Sequence, residues 1–169
     1  VAIRYPRAVG VGADLSVPPR HLEIGRAETL RNGSDVVFVA VGRMVQEAKR
    51  AAELLAAEGI EAGVVNARFV KPLDVALLMH LANRYPQIVT VEDNAVSVGF
   101  GAAVLEALSA RGTDTSLVHC IGLPDRFIEH GETTALFERY GLSAPRLAEH
   151  VRSLIKTRAP HVAASDRSR

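Results

Sequence analysis

The stretch Val36-Val37-Phe38-Val39-Ala40-Val41-Gly42 decides the fold. Its continuous run of apolar residues is typical of a strand that is covered on both faces, and the glycine ends it. Residues 44–58 follow directly and carry apolar side chains at helical spacing, and Gly59 supplies the stop. A buried strand followed at once by an amphipathic helix is the repeating unit of an α/β fold.

Downstream of this unit, the same alternation of apolar strands and amphipathic helices continues to residue 156. Alternation of this kind predicts a three-layer α/β/α sandwich around a largely parallel sheet. The further predicted strands are residues 62–66, 88–92 and 116–121, and the further predicted helices are residues 74–84, 101–110, 132–140 and 144–156.

Upstream of the unit, residues 25–30 resemble a strand and are separated from the strand at 35–41 by Asn32-Gly33. Asn-Gly between two strand-like runs is a strong hairpin signal. We therefore predict that these two strands pair as a hairpin. The result is a mixed five-stranded sheet whose first strand is antiparallel to the rest.

The chain divides into three parts by composition. Residues 1–21 begin like the end of a strand and continue through glycines and prolines, so we interpret them as the end of a preceding domain and a linker. Residues 22–156 form the compact domain. Residues 157–169 are polar and unpatterned, which predicts a disordered tail. Because the first residue is Val1, we interpret the chain as part of a longer protein.

Composition excludes several functions. The formal net charge is +1 without a dense basic run, so a nucleic-acid partner is not expected. The apolar runs are too short to span a membrane, and the histidines and the cysteine lack metal-ligand spacing. The single cysteine, Cys120, lies in an apolar run, which predicts an inert buried thiol in a reducing compartment.

The carboxyl ends of the strands are where an open α/β sheet places its site. Glu92 and Asp93 are adjacent on a strand and should point to opposite faces, which favours capping or interface roles over a joint acid–base pair. His130 is the one loop histidine with catalytic promise, but nothing beside it supplies a nucleophile. Gly99-Phe100-Gly101 favours close helix packing over phosphate binding. We assign no catalytic, cofactor or metal residue, and keep Glu92 and His130 as weaker loop contacts.

Arg4 and Arg7 flank Tyr5-Pro6 near the start of the chain. Two guanidinium groups can hold a phosphate through forked hydrogen bonds, although arginines near a terminus are more often simply solvated. Pro6 stiffens this segment and would fix the direction in which Arg7 points.

Four collinear stretches, residues 2–7, 68–74, 89–95 and 121–131, together resemble the C-terminal part of the 1-deoxy-D-xylulose-5-phosphate synthases, which are transketolase-like enzymes. Two departures stand out. Ala8 follows the second arginine where that family commonly has glycine, and the turn at residues 97–103 carries fewer glycines than is usual. These departures weaken a ligand role for the turn and leave the resemblance in fold intact.

The resemblance implies an activity that this chain would not perform alone. The family joins pyruvate to glyceraldehyde 3-phosphate with loss of CO₂, opening a route to isoprenoids. It uses thiamine diphosphate and Mg²⁺, which the two preceding domains hold, and it works as a homodimer. Arg7 matches the arginine that binds the phosphate of glyceraldehyde 3-phosphate, with Arg4 as a second candidate. The expected location is the bacterial cytoplasm, or the plastid in a eukaryote.

Other interpretations remain open from the sequence. The same domain occurs in transketolase and in the β subunit of 2-oxo acid dehydrogenase E1, although the Arg-Tyr-Pro-Arg and Gly-Leu-Pro-Asp stretches favour the synthase. A stand-alone assembly or binding module is a different class, which the strand-like first residues argue against. A flavodoxin-like nucleotide binder is disfavoured because the phosphate loop is missing.

Overall fold

The computed structural model describes residues 1–6, 10, 12, 14 and 16–165, with side chains as far as Thr157. Arg7 and Ala8 lie outside the described residues. In chain order, the elements are β1 (Glu28–Arg31), β2 (Val36–Ala40), α1 (Met44–Ala56), β3 (Ala62–Asn66), α2 (Val75–Arg84), β4 (Ile88–Ala95), α3 (Phe100–Ser109), β5 (Val118–Leu123), α4 (Thr133–Arg139) and α5 (Ala144–Ser165).

The five strands form one mixed sheet in the order β1-β3-β2-β4-β5. Strands β2, β3, β4 and β5 are parallel, and β1 is antiparallel to its neighbour β3. Helices cover both faces, so the predicted α/β/α sandwich with an antiparallel first strand is confirmed. Strand β2 lies at the centre, where Phe38 pairs with Val64 on one side and Val89 on the other.

The predicted hairpin between the first two strands is wrong, because β3 lies between them. The chain after β1 passes close to the start of β3, where Ser34 N donates to Glu61 O at 2.9 Å. A Cβ on Gly33 would lie 2.3 Å from Gly63 N. Gly33 therefore serves a close backbone approach, and it lacks the left-handed φ that a type I′ hairpin turn requires.

The core has two layers because the side chains of each strand alternate between the faces of the sheet. Val36 and Phe38 of β2 pack with α1, α4 and α5 on one face, whereas Val37 and Val39 pack with α2 and α3 on the other. All five residues of β2 are buried. The prediction of a strand covered on both faces is therefore confirmed.

Two elements extend beyond their predicted bounds. Strand β4 extends to Ala95 because Ala95 pairs with Leu123 after an irregularity that begins at Val91. Helix α5 runs from Ala144 to Ser165, whereas the predicted helix ended at residue 156. Within the described residues, no helix is both long and apolar enough to cross a membrane.

Candidate functional site at the carboxyl end of the sheet

Glu92 is a buried carboxylate at the end of β4, with 2% of its surface exposed. Its Oε2 accepts a hydrogen bond from Phe100 N at 2.7 Å, and its Oε1 accepts one from Gly101 N at 2.8 Å. These N–H groups belong to the first turn of α3, where a helix has unpaired donors and a positive dipole end. Glu92 therefore caps α3 from the neighbouring strand, as the capping interpretation predicts.

The glycines at the start of α3 allow this close approach. A Cβ on Gly99 would lie 2.4 Å from Glu92 Oε2, and one on Gly101 would lie 2.6 Å from Thr90 Oγ1 and 2.7 Å from Cys120 Sγ. Two N–H groups that a phosphate would need already bind Glu92. The turn thus packs a helix onto the sheet, in agreement with the packing interpretation.

Asp93 takes part in a separate contact. Arg4 Nη1 donates to Asp93 Oδ1 at 2.8 Å, and Arg4 Nη2 donates to the backbone carbonyl of Asp93 at 3.3 Å. The Arg4 side chain is 71% exposed and that of Asp93 is 16% exposed. The two adjacent carboxylates therefore serve different partners, and Arg4 is held against the carboxyl end of β4.

His130 lies exposed in the loop between β5 and α4. Its neighbour Glu129 accepts a hydrogen bond from the Tyr140 hydroxyl at 2.8 Å and pairs with Arg139. Hydrogen bonds from its own backbone N–H and then from Tyr140 lower the pKa of the Glu129 carboxyl. The loop is therefore tied to α4 through Glu129. Among the described residues, no hydrogen bond to the His130 side chain is found.

Cys120 is a half-buried thiol on β5, behind the first turn of α3. Burial raises the pKa of this thiol, although a hydrogen bond with Thr90 opposes part of the effect. A raised pKa keeps the sulfur protonated at neutral pH, and the protonated form is a poor nucleophile. This agrees with the prediction of an inert thiol.

A pair of histidines that the sequence did not single out lies on the opposite side of β5. His119 on β5 and His150 on α5 meet edge to face, with ring centroids 6.1 Å apart. His119 Nε2 is 2.5 Å from Gln87 Oε1, whereas the buried His150 Nε2 has no partner in the part of the chain that the structure describes. Burial lowers the pKa of both imidazoles, and His119 lowers that of His150 further.

His150 of this pair borders an open cleft of about 440 Å³ between β5 and the last two helices, which is also lined by Ile121, Tyr140, Arg146 and Glu149. Arg146 already pairs with Glu149 at 2.9 Å. No group of three or more His, Cys, Asp or Glu residues that could hold a metal ion is found among the described residues. Among the described residues, the charged side chains of the cleft therefore already form an ion pair, whereas the His150 imidazole beside them has an Nε2 without a partner.

Comparison with known proteins decides the family. The family model for the transketolase C-terminal domain matches residues 25–147. The chain belongs to this family. Among relatives, it is 48% identical to the 1-deoxy-D-xylulose-5-phosphate synthase of Desulforudis audaxviator, over 94% of the chain and 25% of that protein. For the enzyme of the same name from Aquifex aeolicus, the identity is 48% over 92% of the chain and 24% of that protein.

Solved structures of transketolases contain the same fold. A split-gene transketolase, described as an inactive β4 tetramer, superposes with a TM-score of 0.71 and 37% identity, covering 83% of this chain and 45% of that one. A transketolase from Pichia stipitis superposes with a TM-score of 0.52 at 21% identity, covering 75% of this chain and 17% of that one, and supports the fold alone. The chain spans about a quarter of the length of the synthases that it matches.

Proposed function

We propose that the chain is the C-terminal domain of a 1-deoxy-D-xylulose-5-phosphate synthase, which condenses pyruvate with glyceraldehyde 3-phosphate at the start of isoprenoid synthesis. The observation that carries the proposal is identity of 48% to synthases along more than nine-tenths of the chain. Those relatives are about four times as long, so the proposed activity requires the remainder of the enzyme. As in bacteria that carry these relatives, the proposed location is the cytoplasm.

The described residues do not suit thiamine diphosphate or Mg²⁺. Mg²⁺ prefers carboxylate oxygens together with substrate phosphates, and a diphosphate prefers unpaired N–H groups at a helix start. Here the one buried carboxylate at the sheet end, Glu92, is bonded to the first turn of α3 and occupies two of its donors. Both cofactors would therefore belong to parts of the synthase outside this chain, and this domain would support the site from beside it.

Arg7 is the proposed contact to the phosphate of glyceraldehyde 3-phosphate. The Arg-Tyr-Pro-Arg stretch at residues 4–7 supports this proposal. Arg4 is already hydrogen-bonded to Asp93, which leaves Arg7 as the better candidate of the two arginines. A guanidinium binds a phosphate through charge-assisted hydrogen bonds that each contribute about 1.5–3 kcal/mol. Such bonds orient the substrate, whereas the carbon chemistry belongs to the cofactor.

The carboxyl end of the sheet is the proposed face toward the rest of the synthase and its homodimer. Val98 and Phe127, on the loops after β4 and β5, are 95% and 104% exposed. Val98 also adopts φ 57°, which is strained for a β-branched residue. Because Arg4 holds the upstream segment at this same end, the neighbouring domains would arrive beside these apolar side chains.

Kinetics of the complete enzyme test the phosphate role. Arg7→Ala should raise the KM for glyceraldehyde 3-phosphate about 10-fold or more, because a charge-assisted bond of about 1.5–3 kcal/mol is lost, while the KM for pyruvate stays unchanged. Arg20→Ala, an exposed arginine in the linker, is the matched control. Equal effects on both substrates would contradict the role.

The purified 169-residue chain provides the second test. It should show no carboligation of pyruvate with glyceraldehyde 3-phosphate, because the proposed cofactor-binding parts are missing. Measurable turnover by the pure chain would overturn the domain assignment. If the complete enzyme transferred two-carbon units from a ketose phosphate without needing pyruvate, the transketolase alternative would replace the synthase.

A further inference from the structure

The turn between β4 and α3 carries a strained residue at its tip. Gly99 N donates to Val96 O at 3.3 Å and closes a β-turn over residues 96–99. Val98 occupies the third position of this turn with φ 57°, where glycine or asparagine is usual. A β-branched residue is a genuine outlier there, because its Cβ lies too close to the following carbonyl oxygen. The turn therefore stores strain at Val98.

Both ends of this turn are fixed, so the backbone cannot rotate to relieve the strain. Val96 N donates to Leu123 O at 2.9 Å, which ties the start of the turn to the end of β5. A Cβ on Gly99 would lie 2.2 Å from Ala95 O, so the end of the turn is packed against β4. Strain that is held in place by its surroundings is characteristic of functional and contact sites.

The exposure of the Val98 side chain adds to this cost. Val98 is 95% exposed, so within the described residues it buries almost no apolar surface. A buried apolar side chain could offset the strain of its backbone, whereas one in water cannot. We therefore expect the compensating contact to lie outside the described part of the chain.

Other apolar side chains are exposed at the same end of the sheet. Strands β3, β4 and β5 are all parallel to β2, so the loops that follow them leave the sheet at one end. Val70 in the loop after β3 is 49% exposed, and Phe127 in the loop after β5 is 104% exposed. Exposed apolar side chains on three loops at one end of a sheet indicate an interaction surface.

The segment before β1 indicates what covers this surface. The match to the transketolase C-terminal domain leaves residues 1–24 outside the domain. In this segment, Arg4 is bonded to Asp93 at the carboxyl end of β4, and Ile3 and Tyr5 on either side of it are each 80% exposed. The matched synthases are about four times as long as this chain. The part that precedes the domain would therefore reach it at the exposed loops.

We propose that Val98 is a docking residue, which contacts the part of the synthase that precedes this domain in the chain. The inference rests on the proposed function and names the partner of the exposed face. The contact buries the apolar side chain and so offsets the strain of the turn. Two consequences follow, namely that Val98 is covered in the complete synthase and that relief of the strain stabilises the free chain.

Cysteine labelling tests the contact. A maleimide should label Val98→Cys at least about 10-fold more slowly in the complete synthase than in the 169-residue chain, because a covered thiol reacts only when the contact opens. Leu54→Cys is the matched control, because Leu54 is 42% exposed in the last turn of α1, near the start of β3 at the opposite end of the sheet. The labelling rate of the control should differ by less than about twofold between the two proteins. The parent proteins give the background rate, including that of Cys120. Equal rates for Val98→Cys in the two proteins would overturn the proposal.

Relief of the strain provides a second measurement. Val98→Asn should raise the melting temperature of the 169-residue chain by about 2–4 °C, because asparagine tolerates the left-handed conformation. Val70→Asn is the matched control, since Val70 is an exposed valine without a positive φ, and its melting temperature should match that of the parent. If Val98→Asn brings no rise, the turn is not strained and the proposal fails.

The outcomes separate this inference from the proposed function. If the complete enzyme condenses pyruvate with glyceraldehyde 3-phosphate but Val98→Cys is labelled as fast as in the free chain, the docking contact is wrong and the function stands. If Val98→Cys is protected in an enzyme without synthase activity, the function fails and the contact stands. If the protection is lost when a homodimer dissociates on dilution, the partner protomer covers Val98 and the proposed occupant is wrong.

Discussion

The Glu92 carboxylate and the Nε2 atom of His150 are buried polar groups on opposite faces of the sheet, and their surroundings differ. Each oxygen of the Glu92 carboxylate accepts a backbone hydrogen bond, whereas the buried His150 Nε2 has no partner among the described residues. Burial of a polar group is tolerated where its hydrogen bonds are made and costs free energy where they are not. The hydrogen bonds of Glu92 therefore stabilise the start of α3, whereas the unpaired Nε2 of His150 lowers the stability of the contact between α5 and β5.

The start of α3 beside Glu92 explains this difference. Glu92 lies on β4, which has a strand on each side, and α3 begins directly above it. His150 lies on α5 and contacts His119 of β5, which is the edge strand of the sheet. An open cleft borders His150 on its other side.

Removal of the satisfied carboxylate should have the largest effect. Glu92→Ala leaves two buried N–H groups of α3 without an acceptor, so the free energy of unfolding should fall by about 3 kcal/mol. Chemical denaturation of the chain measures the change. Asp93→Ala is the control at the next position, and an equal loss in both variants would show that capping is not the cause.

Filling the space beneath α3 should have the next largest effect. Gly101→Ala places a methyl group 2.6 Å from Thr90 Oγ1 and 2.9 Å from Cys120 Cβ, so we expect a loss of about 1–3 kcal/mol. Gly131→Ala is the matched control, since its nearest neighbour would be a Leu136 side-chain carbon at 3.4 Å. Equal melting temperatures of the Gly101→Ala and Gly131→Ala variants would contradict the close packing beneath α3.

Acidification should have the smallest effect on the free energy of unfolding, and this effect should come from His150. Burial lowers the folded-state pKa of His150 below the ordinary value near 6.5, so the folded state binds protons less readily than the unfolded state. The stability contributed by neutral His150 is therefore complete above pH 6.5 and declines as pH falls toward the folded pKa.

The histidine contribution can be isolated by substitution. Unfolding titrations of the chain between pH 7.5 and 5 should show a shallower decline in His150→Gln than in the parent. His80→Gln, an exposed histidine on α2, should leave the slope unchanged. If the free energy of unfolding of the His150→Gln variant declines with falling pH as steeply as that of the parent, the contrast between the surroundings of Glu92 and His150 is wrong.

Sequence reasoning succeeded where the determining contacts are local. The strand and helix around Val36 to Ala56 follow from apolar spacing. Alternation along β4 predicted that Glu92 and Asp93 serve different partners in capping or interface roles, and Glu92 binds the N–H of Phe100 only eight residues away. The hairpin prediction failed because Asn32-Gly33 is a local signal, while the insertion of β3 is a long-range event. The histidine pair was missed because it depends on how α5 is turned against β5, which spacing does not encode.

The order of the strands also determines when each strand can join the sheet during synthesis of the chain. Strand β1 is made early, yet within the described residues it pairs with β3 alone, with Glu28 paired to Asn66. During synthesis, this first strand must wait until residue 66 has left the ribosome before it can join the sheet. The first strand made is therefore the last of the first three to be secured, and a force applied to the chain before β1 would detach β1 before it disturbed β2.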